Sequence, residues 1–256
     1  MRPIEIHQFP CLEDNYGYLV HDRDADVTAA IDTPDAGAIL AALDERGWRL
    51  THILNTHHHA DHAGGNLELK RRTRCRIVGP RADAARIPGI DIEVGDGDMF
   101  ELGLHRVEVL DTPGHTRGHI VYFFRADEVA FVGDTLFSLG CGRLFEGSPA
   151  QMWSSLSKIM SWPEHTRLYC AHEYTQSNGR FAVTVEPGNR ALAERVAEVA
   201  KLRAAGKPTV PSTLALEKAT NPFLRPASRN LRETIGLVGA SDVDVFAKTR
   251  ALKDAF

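Results

Sequence analysis

Apolar positions along this chain come in short runs and short alternations separated by polar turns, which predicts an α/β protein. Residues 4–9 and 16–20 are apolar stretches, Asp22-Arg23-Asp24-Ala25-Asp26 is a polar turn, and Val27–Ile31 reads as the returning strand. Thr33-Pro34-Asp35 opens a helix that runs to about Arg46, with Ile39, Leu40 and Leu43 on one face and Gly47 as its stop. Asp96-Gly97 and Ala126-Asp127-Glu128 predict hairpin turns, and residues 149–161 a helix carrying Met152, Trp153, Leu156, Ile159 and Met160. After His172 the character changes. Residues 178–206 are helix-rich, 207–230 carry Pro208, Pro211, Pro222 and Pro226 and read as loop, and 241–253 read as a last helix capped by Ser241. The boundary falls near 173, giving one domain over 1–173 and a helical one over 174–256.

Four predicted strands end alike. Residues 52–55 lead into Thr56-His57-His58-His59-Ala60-Asp61-His62, 106–110 into Asp111-Thr112-Pro113-Gly114-His115, 129–132 into Gly133-Asp134-Thr135, and Arg167–Cys170 into Ala171-His172-Glu173. Metal-capable side chains therefore sit just past the carboxyl ends of strands, where α/β sheets place their sites. In an extended loop, side chains two apart point the same way, so His57 and His59 can grip one ion while His58 points elsewhere. Asp61 and His62 can serve a second ion close by. His115, Asp134 and His172 complete the shells, with Asp134 as the carboxylate that bridges. Two divalent ions make a hydrolytic site that needs no Ser or Cys nucleophile, and Cys141 reads as packing. His58, His119, His7, His21, His52, His105 and His165 read as surface or satisfied core residues.

Composition narrows the field. The 256 residues suit one large domain plus an appendage. A net charge of −4 argues against a nucleic-acid binder driven by bulk positive charge. No apolar run reaches the ~18 residues of a membrane span, and the N-terminus has an acid where a signal peptide would be apolar. Cys11, Cys75, Cys141 and Cys170 lie far apart with no C-x-x-C pair, as expected of reduced thiols in a cytoplasm. A small-molecule substrate and a monomer are the expectation, and a saturated storage site is disfavoured because hydrolysis needs open positions.

The stretch Thr56 to His62 is similar to the T-H-x-H-x-D-H signature of the metallo-β-lactamase superfamily. Thr112-Pro113-Gly114-His115-Thr116, Phe131-Val132-Gly133-Asp134-Thr135-Leu136-Phe137 and Ala171-His172-Glu173-Tyr174-Thr175 resemble its later motifs. Their order, together with Gly140-Cys141-Gly142-Arg143-Leu144-Phe145-Glu146-Gly147 and Asn221-Pro222-Phe223-Leu224-Arg225, resembles the glyoxalase II (hydroxyacylglutathione hydrolase) family over the full chain. The resemblance implies a four-layer αββα sandwich with a small C-terminal α-helical domain. It implies one ion on His57, His59 and His115, a second on Asp61, His62 and His172, and Asp134 between them. Asp61 and Asp134 would be catalytic through the activated water. The ions would be zinc, with iron or manganese also suited. The implied reaction hydrolyses S-D-lactoylglutathione to D-lactate and glutathione, in methylglyoxal detoxification. Arg143, Tyr174, Arg250 and Lys253 would bind the tripeptide. Phe145 stands where some members carry a tyrosine, and Arg143 where lysine is common; a guanidinium is a planar fork, not a point charge. A persulfide dioxygenase or a lactonase-type enzyme on the same scaffold is the alternative.

Overall fold

The apolar runs nearest the N-terminus become neighbouring strands of a six-stranded sheet. β1 (Glu5–Cys11), β2 (Asn15–Asp22) and β3 (Val27–Ile31) pair antiparallel, and β4 (His52–Leu54), β5 (Arg76–Pro80) and β6 (Ile92–Val94) continue in parallel. Parallel neighbours need crossover connections. The β3–β4 crossover runs through α1 (Ala36–Arg46), the β4–β5 one through the one-turn α2 (Ala60–Ala63) and α3 (Asn66–Thr73), and the β5–β6 one through the 3-10 segment Arg81–Arg86. Asp35 caps α1 by accepting from the Ala38 amide, and Gly47, at φ 65°, ends it in the left-handed region. Ile39, Leu43 and Leu69 from the helices pack on Leu19, Ile53 and Ile77 of the sheet. Full burial of such a side chain contributes about 1.5–3 kcal/mol.

A second set, β7 (Met99–Leu102), β8 (His105–Asp111), β9 (Ile120–Phe124) and β10 (Val129–Gly133), forms an antiparallel meander. Every residue of β9 and β10 is buried, as in strands covered on both faces. The meander faces the first sheet: the Tyr18 ring meets Phe131 edge-on at 5.5 Å, and the Tyr122 hydroxyl donates to the Asn55 carbonyl at 2.8 Å.

This computed structural model describes residues 2–256 and divides into two compact units. The first comprises the chain up to Asp111 with Arg117–Gly133, and holds both sets of strands above. The second comprises Thr112–Thr116 with Asp134–Phe256. It contains the hairpin β11 (Leu136–Phe137) and β12 (Gly140–Cys141), and the antiparallel pair β13 (Arg167–Cys170) and β14 (Ser212–Thr213). Its helices are α4 (Pro149–Met160), α5 (Thr175–Val185), α6 (Arg190–Ala204), α7 (Leu214–Thr220), α8 (Arg229–Ile235) and α9 (Asp242–Ala255). Ser148 opens α4 with a reciprocal capping box to Gln151, and Ser241 caps α9 as its sequence predicts.

Two expectations need correction. Asp96-Gly97 joins β6 to β7, which lie in different sheets, so it is a crossing and not a hairpin. The segment 207–230 is not all loop: Pro208 and Pro211 precede α7 and Pro222 follows it, so the prolines bracket a helix that Thr213 caps. Residues 66–73, for which the apolar pattern gives no element, form α3, where Leu69 alone supplies the fully buried apolar contact. Among the described residues no helix is long and apolar enough to cross a membrane.

Candidate metal centre

In the first unit the donors sit on the loop that leaves β4 and turns into α2. Asp32, at the end of β3, organises it. Its carboxylate accepts from the Thr56 amide at 2.7 Å, the Thr56 hydroxyl at 2.8 Å and His62 Nδ1 at 2.8 Å. A carboxylate in this role only accepts, so Nδ1 of His62 carries the proton and Nε2 presents a lone pair. The Thr56 hydroxyl spends its one hydrogen on Asp32 and therefore accepts from His57 Nδ1 at 3.0 Å, which leaves Nε2 of His57 as a donor atom too. Asp32 adopts φ 55°, a left-handed conformation that aspartate tolerates better than most residues. Asn15 donates to the Asp61 carboxylate at 3.2 Å and to its carbonyl at 3.3 Å.

The spacing of these atoms is the test of whether a divalent ion fits. Two ligands about 2.1 Å from one tetrahedral ion lie about 3.4 Å apart. His57 Nε2 and His59 Nδ1 are 3.0 Å apart, and His62 Nε2 and Asp61 Oδ2 are 3.5 Å apart. His58 turns away, its Nδ1 3.2 Å from Asp83 and its Nε2 accepting from Arg86 at 3.1 Å. His119 is fully buried and stacks on His57 at 4.8 Å. Gly133 backs this region at φ 48°, and a Cβ there would lie 2.7 Å from both His119 Nε2 and the Thr56 hydroxyl.

In the second unit the donors come from three separate stretches. His115 Nδ1 donates to the Arg143 carbonyl at 2.8 Å, again leaving Nε2 as the donor atom. His172 follows β13 and lies flat against Tyr174, ring centroids 4.8 Å apart and planes 2° from parallel. Asp134 follows β10 in sequence. Its Oδ2 is 3.4 Å from His115 Nε2 and its Oδ1 is 3.4 Å from His172 Nε2. These distances exceed the 2.7–2.9 Å of a charge-assisted hydrogen bond and match the separation of ligands on an ion. All three residues are buried. Gly142 makes room for them: a Cβ there would lie 1.9 Å from the Asp134 carbonyl.

The same unit contains a cavity of about 310 Å³ whose wall includes His115 and Asp134. Phe137 and Tyr174 form an aromatic side, and Phe145, 61% exposed, stands edge-on to His115 at 5.3 Å. Arg143, Arg250 and Lys253 supply positive charge. Arg250 is nearly buried and donates to the Cys141 carbonyl at 2.8 Å. Lys253 lies over the rings of Phe181 and Phe256 at 5.4 and 5.2 Å. Burial, then repulsion from Arg250, Arg180 and Arg143, holds its ammonium below the ordinary lysine range. Burial pushes the Cys141 thiol up to about 11, so it is a neutral packing group near pH 7 and not a nucleophile.

Each residue singled out from the sequence thus has a place. His57, His59, Asp61 and His62 share the first unit's loop. His115, Asp134 and His172 form one ring in the second, and Arg143, Tyr174, Arg250 and Lys253 line its cavity. Asp32 and Asn15 escaped the sequence reading. Asp32 carries the same sign as the other site residues, a polar side chain just past a strand end, and its carboxylate is engaged by Thr56 and His62; with His57 and His62 it also forms a group close enough to face one ion.

Comparison with known proteins bears on this geometry. A family model described as the metallo-beta-lactamase superfamily matches residues 22–172, and one described as the hydroxyacylglutathione hydrolase C-terminus matches residues 173–256. The chain is 57% identical over 253 residues to a hydroxyacylglutathione hydrolase of Methylococcus capsulatus, covering 99% of each, and 55% identical over 256 residues to one of Maricaulis maris, covering both completely. Among solved structures it is similar to ETHE1 from Myxococcus xanthus, with TM-score 0.68 and 25% identity over 98% of this chain and 100% of that one. It shares its fold with the BLEG-1 B3 metallo-beta-lactamase, with TM-score 0.66 and 21% identity over 86% and 100%.

Proposed function

This chain belongs to the hydroxyacylglutathione hydrolase family of the metallo-β-lactamase superfamily, and from that premise we propose that it cleaves S-D-lactoylglutathione to D-lactate and glutathione at a centre of two divalent ions. It is a thioester hydrolase with an α/β sandwich and a C-terminal helical region. His57, His59 and His115 would hold one ion, Asp61, His62 and His172 the other, with Asp134 the carboxylate shared between them. Bound divalent ions supply Lewis acidity and bring the pKa of a shared water toward ~7. Zinc is the first choice, and iron or manganese suits the same donors. The observation that carries this reading is the Asp134 carboxylate, whose two oxygens each face the Nε2 of a different histidine at 3.4 Å.

The chain's own groups do the rest. Asp61, steadied by Asn15, and Asp134 are the two carboxylates that act on the attacking water. Asp32 and the Arg143 carbonyl keep Nε2 of His62 and His115 unprotonated. Arg143, Arg250 and Lys253 offer three cations to a tripeptide that carries two carboxylates, and each charge-assisted contact is worth roughly 1.5–3 kcal/mol. Tyr174 adds a stacked ring and a hydroxyl beside the cavity. We take the enzyme to work as a monomer in the cytoplasm; the four cysteines, free and buried, are compatible with a reducing compartment.

The test is a paired assay. Purified protein releases glutathione from S-D-lactoylglutathione and takes up no oxygen with glutathione persulfide. Oxygen uptake without thioester cleavage would replace this reading with the dioxygenase one.

A further inference from the structure

We propose that Asp254 is a positioning residue whose carboxylate ties Arg143 to Arg250 and thereby sets the affinity for a carboxylate-bearing glutathione conjugate. The inference rests on the glutathione reading above and adds a residue to it. One oxygen of Asp254, Oδ1, accepts from Arg143 Nε at 3.2 Å and forms an ion pair with Arg250, 3.1 Å from its Nη2. Arg250 and Asp254 are four apart on α9, so they share a face. Arg143 comes from the stretch after β12, more than a hundred residues earlier. A single carboxylate therefore joins two cationic walls of the cavity.

The two arginines need this unequally. Arg250 is only 7% exposed at its side chain and is already held by the Cys141 carbonyl, while its buried Nε has no protein partner. Arg143 is 58% exposed, and its one side-chain partner is Asp254. A long exposed side chain loses considerable rotamer freedom when a ligand orders it. Asp254 does that ordering in advance. It engages only Nε, so the two terminal nitrogens of the fork stay available for a carboxylate. The same Arg143 holds His115 through its carbonyl, so its backbone serves a metal donor and its side chain the ligand.

Two effects of removing Asp254 oppose each other. Loss of a negative charge beside an anion site would tighten binding by simple electrostatics. Loss of the tether would weaken it. The sign of the change decides which governs. We expect Asp254→Asn in the metal-loaded enzyme to bind S-methylglutathione about threefold to tenfold more weakly by calorimetry. The thioester KM rises in step, with kcat within about twofold. Asp254→Glu restores most of the loss. An S-methylglutathione amidated at its glycine carboxylate binds wild type and Asp254→Asn equally. Equal or tighter binding of S-methylglutathione by Asp254→Asn, or an equal loss for the amidated analogue, would overturn the proposal. A wild type that binds S-methylglutathione but cleaves no thioester would end the hydrolase reading and leave the Asp254 comparison standing. A wild type that does not bind it would end both.

Discussion

In the first unit a buried carboxylate holds the donor loop, whereas in the second a main-chain carbonyl and an aromatic ring hold the donors. Asp32 takes three hydrogen bonds, two of them from Thr56 and one from His62. His115 leans on the Arg143 carbonyl and His172 on the face of Tyr174. The contrast extends to the donors themselves. The first unit presents a contiguous loop whose shape is set by hydrogen bonds before any ion is considered. The second presents two histidines, each 3.4 Å from one oxygen of Asp134, a spacing that suits ligands of an ion better than hydrogen-bond partners. Charge-assisted hydrogen bonds are roughly twice as strong as neutral ones, so the first unit is the preset half and the second the half that an ion completes.

The sharpest way to break this comparison is to remove Asp32. Asp32→Asn keeps the shape but loses the charge and presents an amide where three donors point; we expect metal affinity to fall about 10- to 100-fold. Asp32→Ala leaves those donors buried and unmatched and should also lower the stability of the metal-free protein by about 2–4 kcal/mol. Metal titration and denaturant unfolding measure both. Unchanged metal affinity in Asp32→Asn would mean that Asp32 is structural only. A smaller effect concerns the second unit's cavity. Lys253 sits below the ordinary lysine range because it is partly buried among other cations. An anionic ligand favours the protonated form, so affinity falls as the pH climbs through that lowered value. KM for the thioester should therefore rise by about tenfold at alkaline pH, starting below 10.5, while kcat changes less. Lys253→Arg keeps its charge and should remove the rise; a KM profile that is flat in the wild type would contradict it.

How much of this was legible beforehand follows the same divide. The loop from His57 to His62 is dense enough to stand out, and the strand-end pattern correctly placed His115, Asp134 and His172 after β8, β10 and β13. Asp32 had the same strand-end position after β3, but it lacked histidine neighbours in sequence, and its role depends on contacts with residues 24 and 30 positions away. Arg250 and Lys253 are indistinguishable from a solvated helix end without the family resemblance; their burial and ring contacts exist only in the folded chain. The helix α7 was hidden because prolines on both sides suggested a loop. What organises it is the buried Glu217, which accepts from the Ser138 hydroxyl at 2.9 Å, the Leu139 amide at 2.8 Å and Asn221 Nδ2 at 3.0 Å. Such long-range pairings leave no local period to read.

The proposed function rests on a two-ion centre in which Asp134 is the bridging carboxylate. X-ray absorption on the zinc-loaded protein, with metal counting on the same sample, tests it most directly. The account predicts about two ions per chain and a metal–metal scattering distance of about 3.5–4 Å, both lost in Asp134→Ala together with thioester hydrolysis. A single ion per chain with no metal neighbour, or an Asp134→Ala enzyme that keeps both ions and full activity, would contradict it.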